Sequence, residues 1–285
     1  MQPSPFSTAS LITTDGVSHY AVERNWAKLP AGQELGPISQ LAVRSDGRVV
    51  VVQRSTPAVL VFAPDGRLEE SWHHERLPSV HGIAFDTADN LFITSFDAHQ
   101  VLRFNRDREI TLELGTFNRP CWAGAFNHPT DMAVAADGEI YVTDGYGNAR
   151  VHRFSPDGRL IASWGEPGIA PGQFACPHGV WVTADDRVIV LDRDNNRIQV
   201  FDRSGGLLDV WTGFTKPMDI WGDASGDLFV SDQTPRIVRL GGDGRVRGAM
   251  RAFSVYPHGL WGDGKGNLFV AELLPSGVAK YRAIA

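Results

Sequence analysis

Pro177-His178-Gly179-Val180-Trp181-Val182-Thr183-Ala184-Asp185-Asp186 opens on a histidine-glycine step, runs through a short apolar strand and ends in a turn. A near-copy returns at Pro257-His258-Gly259-Leu260-Trp261-Gly262-Asp263. A third, without the proline, stands at Val80-His81-Gly82-Ile83-Ala84-Phe85-Asp86. Three versions of one phrase, each with histidine in the same place, mark a chain built from repeats, and the repeat decides the fold.

Working outward from that phrase, six segments share one grammar: an opening residue, a short apolar strand, an Asp-Gly type turn, an alternating strand, a polar stretch and another apolar strand. They begin near Ser39, His81, Thr130, His178, Met218 and His258, roughly 40 residues apart. Their turns are Asp46-Gly47 and Asp137-Gly138 and, more loosely, Asp89-Asn90, Asp185-Asp186, Ser225-Gly226 and Lys265-Gly266, pairs that tolerate positive φ and close hairpins. The strand after each turn falls at 49–52, 91–94, 140–143, 188–191, 228–231 and 268–271, and the next at 58–62, 101–104, 150–154, 197–201, 237–240 and 278–281. In four of the first five repeats a further turn and an outer strand follow, as at 155–158 and 160–164. No helical period is visible. Six four-stranded units predict an all-β, six-bladed propeller.

The sixth repeat shows three strands before the sequence stops at Ala285. The alternating segment 19–26 has no other role, so it is expected to pair as the missing outer strand and close the ring, removing an exposed edge. This divides the chain into a loose tail over 1–18 and a propeller over 19–285. The long connection 115–127, with Arg119-Pro120-Cys121-Trp122, is expected to lie over one mouth of the channel.

The chain has 285 residues, 42% hydrophobic, enough for a large single core. Its net charge of −6 and lack of basic runs argue against nucleic acid or an anionic membrane as partner, and no apolar run has the length of a membrane helix. Met1-Gln2-Pro3-Ser4-Pro5-Phe6-Ser7 carries neither a charged nor an apolar signal region. That gives the expectation of a cytoplasmic protein, with Cys121 and Cys176 as free thiols rather than a disulfide.

The histidines occupy the opening position of blades two, four and six. Alternate blades of a six-bladed ring lie about 120° apart around the channel lined by the innermost strands. His81, His178 and His258 are therefore expected to converge on the axis as a trigonal set, and three neutral imidazoles with an open fourth position suit a catalytic zinc. A histidine-glycine step that merely suited the repeat's backbone would not be confined to every other blade.

A second constellation follows the second strand. Blade one reads Gln53-Arg54, blade two Ser95-Phe96, blade four Asp192-Arg193, and blade three Asp144-Gly145-Tyr146-Gly147-Asn148 with one residue inserted. Arg54 and Arg193 thus come from opposite blades at one level, suited to gripping a carboxylate, or equally to a salt bridge. Arg150 and Arg197 share a position outside that mouth and read as structural. Asp144, Asp192, Asp232 and Glu272 recur at the strand end and are expected to tie backbone rather than to act in catalysis.

These residues carry a resemblance. Asp144-Gly145-Tyr146-Gly147-Asn148-Ala149-Arg150, Trp164-Gly165-Glu166-Pro167-Gly168, Gly172-Gln173-Phe174, Pro177-His178-Gly179 and Asp192-Arg193-Asp194-Asn195-Asn196-Arg197-Ile198-Gln199 resemble an NHL-repeat protein. More narrowly they resemble the peptidyl-α-hydroxyglycine α-amidating lyase (peptidylamidoglycolate lyase) family, from about Trp26 onward and most densely over 128–202. The resemblance implies zinc, or another divalent metal, on His81, His178 and His258, and an active site of Arg54, Arg193 and Tyr146. It does not carry over the family's structural calcium, whose acid follows the third histidine, where this chain has Gly259. The disulfides of animal members are absent, Gly147 standing at one of their positions. Tyr256 replaces a methionine beside the site.

The family reaction splits an N–CH(OH)–COO⁻ unit into an amide and glyoxylate, so a small-molecule or peptide substrate with a carboxylate is implied. Zinc would acidify the hydroxyl, Tyr146 would take its proton once metal and arginine charge had lowered its pKa, and one arginine would hold the carboxylate. The alternatives are another metal-dependent lyase or hydrolase acting on a small carbinolamide, ureido-acid or lactone, and a non-catalytic NHL scaffold that binds protein.

Overall fold

The structure, a computed structural model, describes residues 11–284. Six antiparallel sheets stand around a channel, a six-bladed β-propeller. The innermost strands are Ile38–Val43, Val80–Phe85, Asp131–Val134, Pro177–Val182, Asp219–Gly222 and Pro257–Gly262. The second strands, Val49–Gln53, Leu91–Ser95, Ile140–Asp144, Val188–Asp192, Leu228–Asp232 and Leu268–Glu272, are buried along their whole length. Neighbouring blades cover both their faces, which is why they are continuous apolar runs rather than alternating ones. Outer strands such as Leu160–Trp164 have no residue fully buried. Among the described residues the one helical element is a 3-10 turn at Arg193–Asn195.

The hairpins follow the turn residues. Gly47 and Gly138 sit at φ 85° and 86°, and Asp89, Asp186, Gly226 and Gly266 hold positive φ at the matching place in their blades. The ring closes as the alternation at 19–26 predicts, over a shorter strand: His19–Glu23 pairs with Gly277–Ile284, from His19 opposite Ile284 to Glu23 opposite Lys280. Trp26 lies beyond the strand and seals the seam. Its N–H donates to Val278 O at 3.1 Å, and its ring meets Phe62 of blade one at 6.0 Å and Phe269 of blade six at 4.9 Å.

Of the tail expected over 1–18, residues 1–10 lie outside the described residues. Leu11–Thr14 form a strand instead, pairing outside His19–Glu23 and making blade six five-stranded. The closing strand would otherwise leave a row of unpaired backbone groups at the sheet edge. Asp15, 3% exposed, anchors this end with its carboxylate 3.5 Å from Arg239 of blade five.

Two three-fold layers bind the blades around the axis, since the inner edge of each innermost strand has no sheet neighbour and its polar groups need partners. In the first layer His81 and His178 reach the backbone carbonyls of Thr130 and Met218, and His258 that of Ser39. In the second, one residue along, side chains of blades one, three and five accept from the following blade: Ile83 N to Gln40 Oε1 at 2.9 Å, Val180 N to Asp131 Oδ2 at 3.2 Å and Leu260 N to Asp219 Oδ2 at 2.6 Å. The facing positions are glycines for steric reasons. A Cβ on Gly82 would come within 2.5 Å of Asp131 Oδ1, and one on Gly259 within 2.7 Å of Gln40 Cα.

Candidate metal centre

The repeat places each histidine at the start of an innermost strand, so all three project into the channel at one height. Their ring centroids are 4.8, 5.0 and 5.1 Å apart, close to an equilateral triangle. One ligand atom from each lies within 4.8 Å of the others, and all three side chains are buried. His81 Nδ1 stands 2.7 Å from Thr130 O, and His178 Nδ1 2.7 Å from Met218 O. A carbonyl only accepts, so these Nδ1 atoms carry the proton and Nε2 keeps its lone pair.

Burial, the neighbouring imidazoles and Arg54 hold His81 well below the ordinary histidine range, and burial, His258 and Arg193 do the same for His178. Burial and Arg54 bring His258 down to about 3. Three neutral imidazoles, tautomer fixed by backbone and lone pairs converging, are a donor set that fits a borderline divalent ion such as zinc.

Tyr146 stands over this triangle. Its Oη is 2.8 Å from His81 Nε2 and 3.2 Å from His178 Nε2. The inserted residue in blade three extends that hairpin so the ring can reach inward. Gly147 is obligatory there, because a Cβ would lie 2.4 Å from Asn127. The 115–127 connection braces the same hairpin: Asn148 Nδ2 donates to Cys121 O at 2.7 Å. Arg193 lies over the Tyr146 ring with Cζ 5.5 Å from its centroid, and Arg54 over the Phe96 ring at 5.3 Å.

The protein's own groups do not give the phenol the lowered pKa expected of it. Burial pushes it above its ordinary value, against the pull of Arg193 and Arg54. Taking a phenolate out of water costs more here than the two guanidinium charges return.

The two arginines differ in their commitments. Arg193 Nε and Nη2 both donate to Asp194, at 3.1 Å each. Arg54 spends Nε on Ser39 Oγ at 2.8 Å, with no other side-chain hydrogen bond among the described residues. The sequence missed two neighbours. Phe96, 6.0 Å from both the His81 and Tyr146 rings, had no signal beyond standing at the position of Arg54 and Arg193. Ser39 had one: it holds the opening position of the blade that follows His258.

The recurring acids largely do the structural work expected. Asp144 takes Asn127 N at 2.8 Å, Asp192 takes Ala175 N at 2.9 Å and Arg197 Nε at 2.8 Å, and Asp232 takes Thr215 N at 3.2 Å. Arg197 also donates to the carbonyls of Ile169, Ala170 and Gln173, which makes it a structural clamp. Glu272 departs from the pattern, with a buried Oε1 that has no partner among the described residues. Cys121 and Cys176 are free thiols. Among the described residues no helix is long and apolar enough to cross a membrane.

The NHL repeat family matches residues 126–154 and 174–201. Peptidyl-alpha-hydroxyglycine alpha-amidating lyase 1 of Drosophila melanogaster is 33% identical over 161 residues, 52% of this chain and 30% of the fly protein. NHL repeat-containing protein 3 of Homo sapiens is 33% identical over 211 residues, 67% of this chain and 59% of that protein. The chain thus spans under two thirds of these relatives' length. A solved gluconolactonase from Xanthomonas campestris superposes with a TM-score of 0.71 over 93% of this chain and 90% of its own, at 18% identity, a likeness of fold alone. With its repeats, its propeller and these relatives together, the chain belongs to an NHL-repeat, amidating-lyase-like family.

Proposed function

We propose that this propeller is a zinc-dependent carbon–nitrogen lyase that cleaves an N–CH(OH)–COO⁻ substrate to an amide and glyoxylate. One observation carries the reading: the Tyr146 hydroxyl lies within hydrogen-bond reach of two Nε2 atoms of the histidine triangle, between guanidinium groups from opposite blades.

His81, His178 and His258 would hold the ion, which when bound supplies Lewis-acid polarisation of the substrate hydroxyl and positive charge beside Tyr146. Tyr146 Oη, as phenolate, takes the hydroxyl proton. The C–O bond becomes a carbonyl, the C–N bond breaks with its electron pair going to nitrogen, and Tyr146 returns the proton to that nitrogen as the amide leaves. Atoms and charge balance with no water and no oxidant. Arg193, stacked on the ring, favours the phenolate. Arg54, whose terminal nitrogens carry no other hydrogen bond, binds the carboxylate end-on, a contact suited to guanidinium geometry.

The test is glyoxylate release from N-benzoyl-α-hydroxyglycine by the zinc-loaded protein. Stoichiometric benzamide and glyoxylate are expected. Unchanged substrate at rates no faster than buffer overturns the proposal.

A further inference from the structure

The innermost strands begin at the histidines and end on the opposite face of the ring. There the channel widens into a cavity of about 120 Å³, room for roughly four or five heavy atoms. Its walls are Ala84, Phe85, Val134, Trp181, Val182 and Trp261, and its floor is Gln40, Asp131 and Asp219. The two indoles meet edge to face at 5.9 Å. Between the floor and the histidines the free space is about 10 Å³, no more than one water needs. The two ends of the channel are therefore separate chambers.

The floor puts two carboxylates, each at least 96% buried, into one layer with no arginine or lysine among the residues that line the cavity. Each floor side chain gives one oxygen to a backbone N–H of the next blade, and Asp219 gives its other oxygen to Ile220 N at 2.8 Å; each accepting oxygen keeps a second lone pair. Asp131 Oδ1 is fully buried without a hydrogen bond of normal geometry among the described residues, the Gln40 amide and the Met132 N–H being the donors beside this carboxyl. Burial and Asp219 drive Asp131 well above the carboxylate range, and burial raises Asp219, the response of acids that lack a counter-charge.

A hard metal ion would need six or more oxygens, and the aliphatic and aromatic side chains of the walls supply none. An ammonium group has three donors in three-fold symmetry, the symmetry of a floor contributed by blades one, three and five. The aromatic walls suit both its charge and a short alkyl chain.

We infer that this cavity is a second ligand site, opposite the metal centre, for a small primary alkylammonium: head group on Gln40, Asp131 and Asp219, tail between Phe85, Trp181 and Trp261. The site stands apart from the lyase reading, and its test uses binding alone.

The full chain is titrated with n-butylammonium chloride and, separately, with n-butanol, its neutral counterpart in size, by calorimetry and ligand-observed NMR. One saturable site for the ammonium and none for the alcohol are expected, with Asp131→Asn weakening binding about tenfold or more, the cost of losing a charge-assisted contact. Calcium chloride should not displace the ammonium. Absence of saturable binding, equal uptake of the alcohol, displacement by calcium, or a folded Asp131→Asn protein that binds as the parent does each overturns the inference. The alcohol comparison needs no variant, so it stands even if Asp131→Asn does not fold.

Discussion

His81 Nδ1 lies 2.7 Å from the carbonyl oxygen of Thr130, the residue at the matching position of the next blade. His178 makes the same contact with Met218 at 2.7 Å. The ring of blades thus sets the imidazole tautomers through the main chain, where no side-chain substitution can remove the acceptor. Each of these two boundaries thereby orients an imidazole whose Nε2 could hold a metal.

It follows that His81→Ala, His178→Ala and His258→Ala should each fold and each lose metal. Removing one of three ligands should weaken zinc by more than the roughly 100-fold that loss of an outer-shell partner can cost. Metal analysis after dialysis against a buffered zinc pool checks this. Parental stoichiometry in all three variants would sink the assignment.

Tyr146→Phe keeps the ring and removes only Oη, so fold and metal content should persist. Turnover should fall by ~10² or more with KM little changed, the pattern of a group that acts in the transition state. In the proposed scheme Arg54→Ala should chiefly raise KM, because its terminal nitrogens would bind the carboxylate. Arg193→Ala should chiefly lower kcat, because it would support the phenolate of that scheme. Near-parental turnover by Tyr146→Phe would reject the proton-transfer scheme and leave the metal site standing.

Ring closure is testable by truncation. Removing residues 1–26 strips Tyr20, Val22 and Trp26, all 8% exposed or less. At about 1.5–3 kcal/mol for each large apolar side chain, that loss rivals the whole stability of a domain, and the protein should not fold cooperatively. Asp15→Ala should cost less but measurably, since Asp15 Oδ1 accepts from Val17 N and Ser18 N, at 2.8 and 2.7 Å, while Arg239 keeps Asp227 at 2.7 Å. A truncated chain starting at Leu29 with the parental melting temperature would show that the strand does not close the ring.

Glu272 gives a pH signature. Burial pushes its carboxyl up to about 7, against the pull of Arg24, while an unfolded glutamate titrates near ~4.3. The folded state holds the proton more tightly, so this group's contribution to stability is highest below the unfolded pKa and declines as pH rises through that window. Glu272→Gln lacks this decline. Its melting temperature relative to the parent should rise by a few degrees between pH 5 and pH 8, from a penalty on the order of 2 kcal/mol. An offset that does not change with pH would contradict it.

The repeat, and with it the propeller, was legible in the chain because each blade spells out its own strands and turns locally. Asp46-Gly47 and Asp137-Gly138 fix their hairpins through positive φ, whatever lies around them. The histidine triangle was legible too, since one position repeated in alternate blades must meet on the axis. The strand at Leu11–Thr14 was not, because its pairing depends on an edge created only when His19–Glu23 docks on a segment more than 250 residues away in sequence. A pattern of Gln40, Gly82, Asp131, Gly179, Asp219 and Gly259 was present in the sequence. Its meaning, side chains of one blade capping the N–H groups of the next across glycine gaps, appears only when the ring is closed. Tertiary structure alone also decided the balance at Tyr146. Residue types bring arginines to it, but burial is a property of the assembled mouth, and there desolvation outweighs their charge.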